Sequence, residues 1–297
     1  MKTPKITLLD GGMGQELRRR STRPATPLWS AQVMLDEPEL VVAVHRDFID
    51  AGAEVITANT YVATPPRLAR DGQEAWLESL HTAALDAAHQ ACQDSPHPVQ
   101  IAGCLPPLVA SYHAGLVPDD DTCLRDYRRL VAAQAARVDL FICETMSLTR
   151  EAMAATRAAK ESGLPVWTAF SVDDQNGGQL RSGEALAQAA NAVVAAGADA
   201  LLLNCSTPEA VTTALSMLAE LNAPFGAYAN GFEAAANLPA GGTVDALNAR
   251  QELTPTAYAD YAARWVAQGA TIIGGCCEIG PRHIEAIKER LIKREGL

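Results

Sequence analysis

Short apolar runs recur along the chain at 6–9, 54–57, 99–103, 139–143, 166–171, 200–204, 225–229 and 271–274, each giving way to polar, soft or glycine positions, and the last is rich in β-branched residues. Runs this short and continuous read as buried strands. Between them lie longer stretches with helical spacing of apolar residues or alanine-rich composition. The punctuation agrees. Asp36-Glu37-Pro38-Glu39 reads as a capping box opening the first long helix, which Gly52 closes, and Ser206-Thr207-Pro208-Glu209 repeats that signature. Thr254-Pro255 and Gly280-Pro281 start two more helices, and Gly163, Gly197 and Gly269 fall where helices should stop.

Eight strands alternating with helices predict an α/β chain folded as a single (β/α)8 TIM barrel over residues 1–297. The alternative is a doubly wound open sheet with a dinucleotide loop after its first strand. Asp10-Gly11-Gly12-Met13-Gly14-Gln15 is glycine-rich at that place but is not GxGxxG, so the barrel is preferred. A barrel gathers its chemistry at the C-terminal ends of its strands. That rim would carry Asp10-Gly11-Gly12, Asn59-Thr60-Tyr61, Cys104, Cys143-Glu144-Thr145, Ser171, Asn204-Cys205, Asn230 and Cys276-Cys277. Two long connections, 105–121 and 231–253, leave from the same rim and are long enough to close over a substrate.

Composition narrows the class. A chain of 297 residues, 48% hydrophobic, can bury a large core, and a net charge of -11 with scattered basic residues argues against a nucleic-acid partner. No apolar run reaches membrane-spanning length and the first residues show no leader pattern, so no membrane partner and a cytoplasmic location are expected. No heptad pattern indicates an oligomeric state. Seven cysteines, odd in number and irregularly spaced, favour metal or catalytic use over a disulfide framework.

The cysteines carry the strongest chemical signal. Gly274-Gly275-Cys276-Cys277 follows one strand, the glycines allowing close backbone approach, and Cys205 ends another just ahead of a helix N-terminus that would favour its thiolate. Three thiolates suit zinc and leave the open position of a catalytic site. The competing readings are three buried cysteines acting as small hydrophobes, or a vicinal disulfide between Cys276 and Cys277. Cys92 and Cys123 read as packing residues. Asp10 and Glu144 could be an acid/base pair, could hold a substrate ammonium, or could cap backbone amides, and the amides of Gly11 and Gly12 could take a carboxylate. Of six histidines, only His113 lies in a loop that could reach the rim; Tyr112 and Phe232 could cradle a cation.

Asp10-Gly11-Gly12, Asn204-Cys205 and Gly274-Gly275-Cys276-Cys277 together resemble the zinc-dependent homocysteine S-methyltransferase family, and the likeness covers essentially the whole chain. Leu28-Trp29-Ser30, Ile56-Thr57-Ala58-Asn59-Thr60-Tyr61 and Cys143-Glu144-Thr145 fit it too. The resemblance implies zinc held by Cys205, Cys276 and Cys277, Asp10 and Glu144 on the homocysteine amino group, Tyr61 near the metal, and Asn204 orienting the site. It implies homocysteine and a small methyl donor as substrates, with methionine as product. Onium donors need no general acid; a sulfonium such as S-methylmethionine or S-adenosylmethionine is favoured over a betaine. Cys104-Leu105-Pro106-Pro107 and Asn230-Gly231-Phe232 depart from the segments some members carry where the donor would approach. A zinc hydrolase with Glu144 as base is the reading from another class.

Overall fold

The computed structural model describes residues 5–23, 28–233, 238 and 247–295. Among them the strands are β1 (Thr7–Leu8), β2 (Val55–Thr57), β3 (Gln100–Leu105), β4 (Leu140–Met146), β5 (Val166–Phe170), β6 (Ala200–Asn204), β7 (Phe225–Tyr228) and β8 (Ile272–Ile273). All neighbours pair in parallel, in the order β1-β8-β7-β6-β5-β4-β3-β2. A further parallel bridge from Leu9 to Val55 joins the two ends. The sheet is therefore a (β/α)8 barrel, as predicted, and the open-sheet alternative fails.

The helices are α1 (Met13–Arg20), α2 (Trp29–Asp36), α3 (Pro38–Ala51), α4 (Pro65–Arg70), α5 (Leu77–Cys92), α6 (Asp120–Gln134), α7 (Thr149–Lys160), α8 (Leu186–Ala195), α9 (Pro208–Ala219), α10 (Pro255–Ala267) and α11 (Pro281–Glu295). Their apolar faces form the large core against the outside of the sheet, where Phe141, Cys143, Val166, Leu201 and Leu203 point. A second, smaller core fills the barrel with Leu9, Val55, Ala102, Leu140, Ile142, Ala169, Ala200, Leu202, Tyr228 and Ile272. The two sets alternate along each strand, as a period of two requires. The next inward step on four strands delivers Thr57, Cys104, Glu144 and Asn204 to the C-terminal rim, where all four line one cavity. The polar floor of the site thus follows from side-chain alternation.

Element boundaries differ from the sequence reading at informative places. β4 runs on to Met146, past the expected stop at Cys143, but its register with β5 shifts between Cys143 and Met146, and Thr145 has φ of 58°. Regular β8 stops at Ile273, one residue short of the expected end, although the Gly274 amide still bonds to the Ala227 carbonyl; Gly274 packs closely on the first strand, a Cβ there falling 2.5 Å from that of Leu9. The expected capping box at Asp36 does not form. Asp36 ends α2 and pairs with Arg23 at 2.8 Å, and Glu37 caps α3 without a side-chain bond. At α9 the cap is Thr207, which accepts from the Ala210 amide; Ser206 accepts from the Val172 amide instead. Thr254 caps α10 through the Ala257 amide, and Gly52, Gly163, Gly197 and Gly269 all take positive φ as predicted. No described helix is long and apolar enough to cross a membrane.

Candidate active site

The rim encloses a cavity of about 230 Å³ lined by Asp10, Gly11, Gly12, Tyr61, Glu144, Asn204, Cys205, Cys276 and Cys277, the residues that the resemblance assigned to metal and acceptor together with the two glycines. At its wall the Sγ atoms of Cys205, Cys276 and Cys277 all lie within 4.8 Å of one another, a set that could hold a metal ion. Cys205 is 2.6 Å from Cys276, and Cys276 is 4.0 Å from Cys277. A tetrahedral zinc thiolate with bonds near 2.3 Å has sulfur–sulfur edges of about 3.8 Å, inside the range these three span. All seven cysteines are free thiols, which removes the vicinal disulfide. Thiol hydrogen bonds from Cys276 and Cys277 hold Cys205 well below the ordinary thiol range, and the same contact with Cys205 pushes Cys276 well above it. One thiolate served by two thiols is a donor set ready for a soft cation.

Local backbone explains how three distant cysteines meet. Gly274 packs on Leu9, and a Cβ on Gly275 would fall 2.1 Å from the Ile279 side chain, so the two glycines let β8 run close beneath the first loop. The Cys276 amide then bonds to the Ala229 carbonyl at 3.0 Å and the Gly275 amide to the Asp10 carbonyl at 2.9 Å. Cys205 turns off β6 with φ of 49°, in the left-handed region. Its carbonyl accepts from Ser171 and from Arg181.

Two carboxyls face the same cavity. Asp10 is 6% exposed and accepts from the Thr57 amide at 2.8 Å; burial pushes its pKa up to about 8. Glu144 accepts from the Tyr228 hydroxyl and from the Cys104 thiol, each at 3.1 Å, and burial raises it to about 7. Asn204 braces this wall. Its Oδ1 accepts from the Thr145 amide and its Nδ2 donates to Thr145 Oγ1, both at 3.0 Å. Tyr61 hydrogen-bonds to Ser111 at 2.8 Å; burial first, then the charge of Cys205, raises its phenol well above the ordinary value.

Several expectations need correction. The Gly12 amide is not free for a carboxylate, because it donates to the Ile279 carbonyl at 2.8 Å; its lack of a side chain serves close packing, a Cβ there falling 2.8 Å from the Cys276 carbonyl. His113 does not line the cavity and binds the Leu238 carbonyl at 2.8 Å, tying two loops together. Phe232 is buried at 1% exposure outside the cavity, so it offers no face to a cation. Tyr112 does line it, but Arg181 already stacks 4.8 Å from its ring centre. Of the long connection 231–253, residues 234–237 and 239–246 lie outside those described. The sequence reading missed Tyr228, inward-facing two positions after Gly226 and so within reach of the alternation rule. Arg67, on the short helix α4, and Arg181, on the β5–α8 connection, also line or flank the site, and neither stretch is long enough to show a period.

The homocysteine S-methyltransferase family model matches residues 7–291. Among curated proteins, homocysteine S-methyltransferase of Escherichia coli (strain K12) is 31% identical, with 96% of this chain and 95% of that protein covered. Selenocysteine Se-methyltransferase of Brassica oleracea var. italica is 27% identical over 100% of this chain and 92% of its own length. Among solved structures, the metallated form of the homocysteine methyltransferase MmuM from Escherichia coli superposes with a TM-score of 0.81 at 28% identity, covering 96% of each chain.

Proposed function

Since the chain belongs to the homocysteine S-methyltransferase family, we propose that this methyltransferase moves a methyl group from a small sulfonium donor, S-methylmethionine or S-adenosylmethionine, to the sulfur of L-homocysteine. Cys205, Cys276 and Cys277 would hold zinc. The convergence of their three sulfurs within 4.8 Å at the wall of a closed barrel carries the reading. When bound, zinc supplies a means of keeping an acceptor thiol as its thiolate near neutral pH, where a free thiol of pKa about 8.5 is mostly protonated.

The chain's own residues do the rest. Asp10 and Glu144 take the acceptor's ammonium, which replaces with a cation the water that their burial has removed and returns both carboxyls to the ionised form. The Gly11 amide, at the turn out of β1, meets the acceptor's carboxylate. Tyr228 and Cys104 each donate to one oxygen of Glu144 and so fix the plane of its carboxylate. Asn204 holds the bend at Thr145 that aims Glu144 inward. No side chain has to protonate the leaving group, since a sulfonium departs as a neutral thioether. Incubating the purified protein with homocysteine and, in turn, S-methylmethionine, S-adenosylmethionine and glycine betaine should yield methionine with a sulfonium. Turnover with betaine alone would overturn the choice of donor, and none with any donor would overturn the reaction.

A further inference from the structure

Arg67 and Arg70 are the cationic residues among those lining the cavity, and they are placed differently. Arg70 bonds to the Asp71 carboxylate at 2.9 Å. Arg67 has no carboxylate partner among the described residues. Its guanidinium lies 5.4 Å from the centre of the Tyr61 ring, and Nη2 donates to the Pro107 carbonyl at 2.9 Å. Its Nε is shielded from solvent and has no hydrogen-bond partner. Glu151 acts on it only at longer range, without a hydrogen bond or ion pair between the two, so an arginine that is desolvated, oriented by an aromatic ring and one carbonyl, and left with an unused donor edge lacks an anion in direct contact. Burial accordingly pushes its pKa down from the usual value.

The position selects the anion. The ammonium-binding carboxyls, Asp10 and Glu144, come from β1 and β4, and the acceptor's own carboxylate is met at the Gly11 turn. Arg67 stands on α4, after β2, and reaches across to the β3 connection at Pro107. Tyr61, whose ring Arg67 stacks on, lines the same cavity as Cys205, Cys276 and Cys277. Arg67 thus shares one cavity with the metal-binding thiols, on the side of the Tyr61 ring and the β3 connection. Each donor class considered above carries a carboxylate.

We propose that Arg67 is a specificity residue that binds the carboxylate of the methyl donor, so that the enzyme selects amino-acid-derived onium compounds over simple sulfonium ions. The assignment rests on the methyl-transfer reading. It predicts which donors are taken and leaves the acceptor site alone. Losing a charge-assisted hydrogen-bond pair is expected to cost a factor of about 10 to 100 in donor recognition.

The test compares the parent with Arg67→Met and Arg67→Lys, using S-methylmethionine and trimethylsulfonium, which has no carboxylate, against homocysteine. Arg67→Met should lower the ratio of kcat/KM for S-methylmethionine to that for trimethylsulfonium by about 10- to 100-fold, through donor KM, with the homocysteine KM little changed. Arg67→Lys should recover part of the ratio, since a point charge attracts a carboxylate without the planar fork. An equal loss with both donors would mean that Arg67 only supports Tyr61 and Pro107. A rise confined to the homocysteine KM would move the carboxylate to the acceptor. Either result overturns the assignment. Calorimetric binding of S-methylmethionine and of trimethylsulfonium in the absence of homocysteine needs no turnover. A preference for S-methylmethionine that survives in Arg67→Met overturns the assignment even if the methyl-transfer reading has failed, and its loss supports it.

Discussion

Replacing Asn204 with alanine tests how the cavity holds its central carboxylate. Asn204 is 1% exposed and bridges to Thr145, 59 residues earlier, through two 3.0 Å hydrogen bonds. Thr145 is β-branched and held at φ of 58°, a conformation costing about 1–2 kcal/mol for an L-residue. Alanine would remove both bonds and leave the buried Thr145 amide without its acceptor. Each lost bond is worth about 1 kcal/mol net, and the stranded amide costs about 1–3 kcal/mol. Some of this is returned when Thr145 relaxes from its strained conformation, so a loss of about 2–4 kcal/mol is expected. For a chain of this size that lowers Tm by roughly 3–6 °C. Thr145→Val keeps the amide bond and removes the hydroxyl's contacts, with Cys205 and Tyr61 as well as Asn204; it should cost about 1–2 kcal/mol, and the double variant should fall short of the sum. Scanning calorimetry reads the stability, and steady-state kinetics should show the homocysteine KM raised about tenfold as Glu144 loses its aim. A shift below about 1 kcal/mol with an unchanged KM would refute the view that Asn204 sets the bend in β4.

Two further predictions follow from buried ionisable groups. His45 is fully buried, both its ring nitrogens lack partners, and burial lowers its pKa to about 4. The unfolded chain therefore binds a proton that the native chain refuses, so this contribution is intact above pH 6.5 and is lost as pH falls towards 4. His45→Leu should remove that dependence and stabilise the protein by about 2 kcal/mol at pH 5, measured by urea unfolding across pH. Asp10 behaves with the opposite sign: with its pKa raised to about 8, the folded state holds the proton, and stability present below pH 3.8 declines as pH rises through 8. Asp10→Asn should melt above the parent at pH 8, with the gap closing by pH 4, while homocysteine binding weakens. A gap independent of pH would contradict the cause assigned.

What the sequence showed and what it hid separate along physical lines. Strand count, closure and the gathering of Asp10, Glu144, Cys205 and Cys276 at one rim follow from local composition and a period of two, which neighbours in sequence decide. Leu140, Ile142 and Glu144 point inward by that rule. The bend that ends regular pairing at Thr145 depends on an asparagine from β6, and no local pattern announces it. Gly12 was misread for a similar reason: its amide is claimed by Ile279, brought there by a turn more than two hundred residues later. Asp36 looked like a cap because its spacing was right, but Arg23 draws its carboxylate away. The histidine in the β3 connection shows the same limit, since its partner is the Leu238 carbonyl from the opposite loop.

The account stands on the three sulfurs acting as one ligand set for the reaction. Metal analysis and methionine formation, measured together on the parent and on Cys205→Ser with circular dichroism as a control for folding, test this directly. The parent should carry stoichiometric zinc and convert homocysteine to methionine, and the folded variant should do neither. A folded Cys205→Ser protein that keeps both its zinc and its methyl transfer would contradict it.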